Sequence, residues 1–247
     1  MVLFPHQGAG RDAMDRTGGQ TIDGRAAREG RLLARPHPPG ERGGPGLHAL
    51  NLDARRDAWL YVPPNYAPSR PAPLVLALHG AGGGGRSHLD HLRSIADQHG
   101  LIVLSPTSRE STWDVIYGDY GPDIRFIDRA LDETFNRYAV DAEHLAVEGF
   151  SDGASYALSV GLGNGDLFTH ILAFSPGFMA PPAQRGAPSV FISHGTNDPV
   201  LRIDVCSRRI VPRLEGAGYD VRFVEFRGGH TVPPDIVEDA ARWFLAP

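Results

Sequence analysis

The sequence contains no lysine, so all 24 of its basic residues are arginine. Without a lysine amine there is no Schiff-base chemistry and no P-loop lysine to meet a phosphate. Cysteine is almost as scarce. Cys206 stands alone, which excludes an internal disulfide, a Cys-x-x-Cys redox pair and a thiolate zinc site. No apolar run approaches the ~18 residues of a membrane span, and the opening residues lack the basic and long apolar regions of a secretion signal. The expectation is a cytoplasmic protein with no membrane partner. Net charge is −5 and the arginines gather in no basic stripe, so nucleic acid is not an expected partner either.

What is present is an ordinary globular composition: 247 residues, 41% hydrophobic and 21% charged, ample for one large core. Breakers concentrate at the front, where the first 50 residues hold 10 of the 30 glycines and 5 of the 21 prolines. Residues 1–50 therefore read as an extension that packs on the body or is partly disordered, and residues 51–247 as the folded catalytic unit. Short apolar runs at 58–62, 74–78, 101–104, 145–148, 171–174, 190–193 and 221–226 predict strands, several of them buried on both faces. Between them, segments 87–98, 123–138, 151–162, 200–215 and 234–245 predict helices. The segment 123–138 carries Ile124, Ile127, Leu131, Phe135 and Tyr138 on one face. Alternation of this kind predicts an α/β fold, a mostly parallel central sheet with helices on both faces. Ligands then bind at the carboxyl ends of the strands.

Gly149-Phe150-Ser151-Asp152-Gly153 fits the pattern G-x-S-x-G. This composition produces about 0.2 such pentapeptides by chance, so context has to carry the reading. A strand pattern precedes Ser151 and a helix pattern follows it, which would leave the hydroxyl exposed at a helix start; a plain N-cap serine would also sit there. A serine hydroxyl needs a histidine base and a carboxylate to orient that base. Asp198 follows the strand pattern at 190–193, and His230 follows the one at 221–226, in the order Ser, acid, His. Taken singly, Asp198 in Asn-Asp-Pro reads equally as a turn residue, and His230 as one loop histidine among 11. Asp204 is the rival acid, placed inside the next helix pattern. The required oxyanion donors would be the N–H of Asp152 and an N–H of the loop 79–85, His-Gly-Ala-Gly-Gly-Gly-Gly, with Ala81 first and Gly82 next. That loop lacks the lysine and the spacing of a nucleotide-binding loop.

These residues resemble the α/β-hydrolase superfamily. Within it, LVLALHGAGGGG at 74–85, VEGFSDGASYAL at 147–158, AFSPGF at 173–178, ISHGTNDPV at 192–200 and GGH at 228–230 are similar to small phospholipase/carboxylesterase and polyhydroxybutyrate-depolymerase-like proteins. The resemblance spans about residues 58–245 and implies an α/β-hydrolase fold and a serine carboxylesterase that forms an acyl-enzyme on Ser151. It carries the acid to Asp198, the base to His230 and the oxyanion donors to Ala81 and Asp152, with no metal or other cofactor. Only about 14 residues separate the strand patterns at 171–174 and 190–193, too few for a cap domain. An open site favours short- to medium-chain, small or soluble esters. Thioester hydrolysis or acyl transfer would use the same residues, and a non-catalytic ligand-binding protein of the same fold is the rival of another class. A homodimer is also open.

On the substrate side the loop 105–122 holds Trp113, Tyr117 and Tyr120, and Trp113 either lines the pocket or packs beneath the loop. Phe150, Phe178 and Met179 are further wall candidates. His79 and His194, each before a glycine, read as loop-fixing hydrogen bonders, and Cys206 as a small buried hydrophobe.

Overall fold

Aliphatic runs that alternate two faces become the strands of an eight-stranded sheet in the computed structural model, which describes residues 24–246. The elements are α1 (Gly24–Arg28), β1 (Gly46–Ala49), β2 (Ala58–Val62), β3 (Ala72–Leu78), α2 (Gly85–His99), β4 (Ile102–Pro106), a 3-10 turn (Asp114–Tyr117), α3 (Pro122–Arg137), β5 (Val140–Phe150), α4 (Asp152–Gly163), β6 (His170–Phe174), β7 (Ser189–Gly195), α5 (Ser207–Gly216), β8 (Val221–Phe226) and α6 (Pro234–Phe244). The strand order is β1-β2-β4-β3-β5-β6-β7-β8. The β1/β2 and β2/β4 pairs are antiparallel, and every pair from β4 onward is parallel. Because β3 lies between β4 and β5, the chain turns one way after β3 and the other way later. The crevice at the carboxyl ends of β3 and β5 is therefore the topological switch point.

Both faces of the sheet are covered. Leu74, Leu76 and Leu78 point to the side of α3, α4 and α5, where Ile127, Phe135, Tyr156 and Leu214 pack. Val75 and Ala77, offset by one residue, point to the side of α2 and α6, against Leu89, Ile236 and Phe244. The α3 face is buried as its spacing predicts, from Ile124 through Tyr138. Irregular chain with one isolated bridge, Gly186 to Gly165, joins β6 to β7 across residues 175–188, so no helical cap stands over the sheet there. No helix among the described residues is long and apolar enough to cross a membrane.

Three elements differ from the sequence expectation. β1 is an antiparallel edge strand in a segment read as extension, so the sheet begins at residue 46. Its four residues, Gly-Leu-His-Ala, show no alternation, and only pairing with β2 extends them. The helix expected over 200–215 starts only at Ser207. Asp198 Oδ1 accepts the N–H groups of Val200 and Leu201, which takes the start of the expected helix into a side-chain turn, and residues 203–206 form backbone turns ahead of α5. β5 reaches back to Val140 through the polar run Asp141–His144, which no apolar pattern marks. Of the front extension, residues 1–23 lie outside the described residues. The part from Gly24 packs on the body, with Ala27 and Leu32 fully buried.

Candidate active site

Ser151 joins β5 to α4 with φ 57° and ψ −118°, a backbone region that non-glycine residues avoid. The neighbours explain how the turn closes. A Cβ on Gly149 would lie 2.2 Å from the Gly153 carbonyl oxygen, and one on Gly153 would lie 2.0 Å from that of Leu78. Both positions therefore demand glycine for close packing, while the strain sits on the serine itself. The Ser151 N–H donates to the Phe174 carbonyl, which ties the turn to β6.

The structure brings the three polar residues into one line. Ser151 Oγ is 2.9 Å from His230 Nε2, and His230 Nδ1 is 2.6 Å from Asp198 Oδ2. A carboxylate only accepts, so Nδ1 carries the imidazole proton and Nε2 accepts from the serine hydroxyl. Asp198 is buried. Burial pushes its carboxyl up, but the bonds from His230 and from the N–H groups of Leu201 and Val200 outweigh this and hold it below the ordinary carboxylate range. Asp204 is exposed and pairs with Arg208, away from the histidine.

Two further histidines fix the loops around this line, as their places before glycines suggest. His194 is fully buried. Its Nε2 faces the Leu201 carbonyl at 2.7 Å and Asp198 Oδ2 at 3.3 Å, while Nδ1 accepts from Ser207 Oγ at 2.7 Å. Burial lowers its basicity, so it acts as a neutral prop for the Asp198 turn. His79 donates from Nδ1 to the Gly80 carbonyl and accepts the Ser108 N–H on Nε2, and burial likewise lowers its basicity.

Of the three expected oxyanion donors, one is occupied. The Gly82 N–H donates to the Ser111 carbonyl at 2.7 Å, which removes it as a donor to a ligand. Asp152 opens α4, where the first N–H groups have no intrahelical acceptor. The glycine-rich loop lies against the nucleophile turn, since a Cβ on Gly80 would fall 3.5 Å from the Ser151 Cβ, which sets Ala81 beside it.

The wall candidates divide. Trp113 is a correction: it is fully buried, donates its indole N–H to the His79 carbonyl and stacks on Tyr156 at 5.0 Å, so it fills the core beneath the loop. Phe150 is half-buried with its ring 4.7 Å from that of His230. Phe178 and Met179 are half-buried on a segment that Ser155 and Ser159 of α4 tie down by accepting the N–H groups of Gly177 and Ala180. Cys206 is buried. Sequence reasoning missed Thr112, whose hydroxyl donates to Asp152 Oδ2 at 2.8 Å, and the buried carboxylates Asp114 and Asp123 behind it. No motif marks any of them. Among the described residues, no group of three or more His, Cys, Asp or Glu side chains is placed to hold a metal ion.

By fold the chain is an α/β-hydrolase, with an eight-stranded sheet in this order and a serine elbow at its switch point. Esterases are among the curated proteins it is similar to. It is 32% identical over 157 residues to a bifunctional acetylxylan esterase/xylanase of Neocallimastix patriciarum, a match covering 60% of this chain and 22% of that protein. It is 24% identical over 223 residues to a "Probable feruloyl esterase C" of Aspergillus oryzae, covering 76% of this chain and 80% of the relative. Among solved structures, an S-formylglutathione hydrolase of Staphylococcus aureus superposes with TM-score 0.68 at 14% identity, over 81% of this chain and 99% of that one. No protein-family model matches the chain.

Proposed function

We propose that the protein is a serine carboxylesterase that hydrolyses short- to medium-chain carboxylic esters through an acyl-enzyme on Ser151. The observation that carries this reading is the hydrogen-bonded line from Asp198 through His230 to a serine held at φ 57°. In this reading His230 Nε2 takes the Ser151 proton as Oγ attacks the ester carbonyl, and Asp198 stabilises the imidazolium that forms. The developing oxyanion is received by the N–H groups of Ala81 and Asp152. His230 then returns its proton to the leaving alcohol, and a water deprotonated on the same nitrogen releases the acid. No step requires a metal or an organic cofactor. With only irregular chain between β6 and β7, the ester group reaches the crevice from open solvent. The names of the two relatives add acetylxylan and feruloyl esters to the substrates worth testing.

The test is hydrolysis of p-nitrophenyl esters from acetyl to palmitoyl, with methyl ferulate and acetylated xylan alongside, by the wild type and Ser151→Ala. Activity on the shorter esters should fall by at least about 10⁴-fold in Ser151→Ala. Activity that survives the substitution overturns the reading.

A further inference from the structure

Three consecutive residues in the loop after β4 each grip a different part of the crevice. The Ser111 carbonyl accepts the Gly82 N–H at 2.7 Å. The Thr112 hydroxyl donates to Asp152 Oδ2 at 2.8 Å. The Trp113 indole donates to the His79 carbonyl at 2.8 Å. His79 and Gly82 bracket Ala81 on the glycine-rich loop, and Asp152 follows Ser151 on the elbow. We propose that Ser111, Thr112 and Trp113 set the distance between the two oxyanion donors, the N–H groups of Ala81 and Asp152, and that Thr112 is the positioning residue linking the glycine-rich loop's support to the elbow. The inference rests on the esterase reading above.

Of the two donors, Asp152 begins a packed helix, whereas Ala81 lies on a loop with no regular structure of its own. The glycine-rich loop carries four successive glycines, with Gly82 at φ +68°, so fixing its backbone costs more conformational entropy than fixing other residues would. Within it the Gly80 carbonyl accepts from the Gly83 N–H and from His79 Nδ1, and the Ser111 and Trp113 bonds join two other ties from outside, the Gly85 N–H to Thr107 Oγ1 and the Ser108 N–H to His79 Nε2. On the other side, Asp152 sits next to the strained Ser151. Its side chain is held by Thr112, which is itself buried.

The tripeptide is anchored from behind. Trp113 is sandwiched between the rings of Tyr156, at 5.0 Å, and His79, at 4.8 Å. Asp123 accepts the N–H groups of Arg109 and Asp114, and Asp114 accepts those of Gly121 and Asp123. The Tyr156 hydroxyl on α4 donates to Asp114 Oδ1 at 2.9 Å. The loop is thus fastened to α4 twice, at Tyr156 in its middle and at Asp152 at its start. Oxyanion stabilisation depends on donors preorganised to within tenths of an ångström, which is what such a double attachment supplies.

Thr112→Val removes the hydroxyl at nearly constant shape, and Thr112→Ser keeps it. With p-nitrophenyl acetate, Thr112→Val should lose roughly 10-fold or more in kcat, less than deleting a donor outright, with KM within about twofold. Affinity for a trifluoromethyl ketone, whose tetrahedral adduct places its oxygen where the oxyanion forms, should fall by the same factor, and Thr112→Ser should restore most of both. Asp152→Ala cuts the same bond from its other end, so its loss and that of Thr112→Val should not multiply in the double variant. A Thr112→Val enzyme within twofold of wild type in kcat overturns the inference. So does a loss that ketone affinity does not share, or losses that multiply. If Thr112→Val unfolds, the comparison of Asp152→Ala with Asp152→Asn, which keeps an acceptor for Thr112, decides by the same readouts. Ser151→Ala runs beside them: activity surviving there overturns the esterase reading itself, whereas a dead Ser151→Ala with an intact Thr112→Val overturns only this inference.

Discussion

In the proposed mechanism two aspartates six residues apart compete for the role of acid, and chemistry at the residue scale separates them. Asp198 is buried, accepts three hydrogen bonds and touches the histidine, whereas Asp204 is exposed and spent on Arg208. Asp198→Asn replaces an obligate acceptor by an amide that can favour the wrong imidazole tautomer, and kcat should drop by roughly 10³–10⁴-fold on any ester the wild type cleaves. Asp204→Asn should stay within about twofold, because it removes only an exposed ion pair of small worth. Steady-state kinetics on the pair checks the assignment, and equal losses would refute it. That Ser151, Asp198 and His230 would come together was legible in the sequence because each follows a strand pattern within a few residues. Thr112 was not, since a threonine in an irregular loop carries no pattern and its partner lies 40 residues away.

At the scale of elements, the apolar strands and amphipathic helices were readable because their burial imprints a period on the chain. The strand β8 runs over Val221–Phe226 and β2 over Ala58–Val62, as the apolar runs alone predict. The elements missed are those that neighbours impose: β1 through pairing with β2, and the late start of α5 through the Asp198 turn and the backbone turns after it. Contact between elements also sets the strictest sequence demand at the elbow. Gly153 packs α4 onto the end of β3, and Gly153→Ala would press a methyl into the Leu78 carbonyl oxygen. The expected result is destabilisation of about 2–4 kcal/mol by urea unfolding, with loss of activity, because backbone on both sides of the contact must move. A variant as stable and active as wild type would show that the helix can shift freely.

On the scale of the whole molecule, the segment from Gly24 to Arg35 acts as a strap across the α3 and α4 side. Arg31 reaches the Gly163 carbonyl, Asn164 and Asp166, and Asp128 accepts the N–H groups of Leu33 and Ala34. The bond from Arg31, with Arg35 beside it, holds the Asp166 carboxyl well below the usual range. Leu32 of the strap is fully buried, so Leu32→Ala should cost about 2–5 kcal/mol in urea unfolding. The same variant should leave kcat at 25 °C near wild type, since Leu32 belongs to the core cluster on the α3 and α4 side. The buried pair Asp114 and Asp123 sets a pH dependence of opposite sense to the usual carboxylate. Burial, reinforced by the neighbouring Asp114, pushes the Asp123 carboxyl up to about 6, and burial raises Asp114 too. The fold therefore disfavours their ionised forms. The stability present below an ordinary carboxylate value near 3.8 is lost as pH rises to about 6. Relative to Asp123→Asn, the wild type should lose on the order of 3 kcal/mol of unfolding free energy between pH 4 and 7. A difference that stays flat across that range would contradict it. By itself the sequence determined the layered α/β class, the core faces of the helices and the strand-end places of Ser151, Asp198 and His230, because burial and strand-end position leave periodic and local marks. Only the tertiary structure decided which loop backs the glycines, that Trp113 belongs to the core and that the Gly82 N–H is already spent. Those are contacts between residues far apart in the chain, and no local pattern encodes which partner a hydrogen-bonding group will meet.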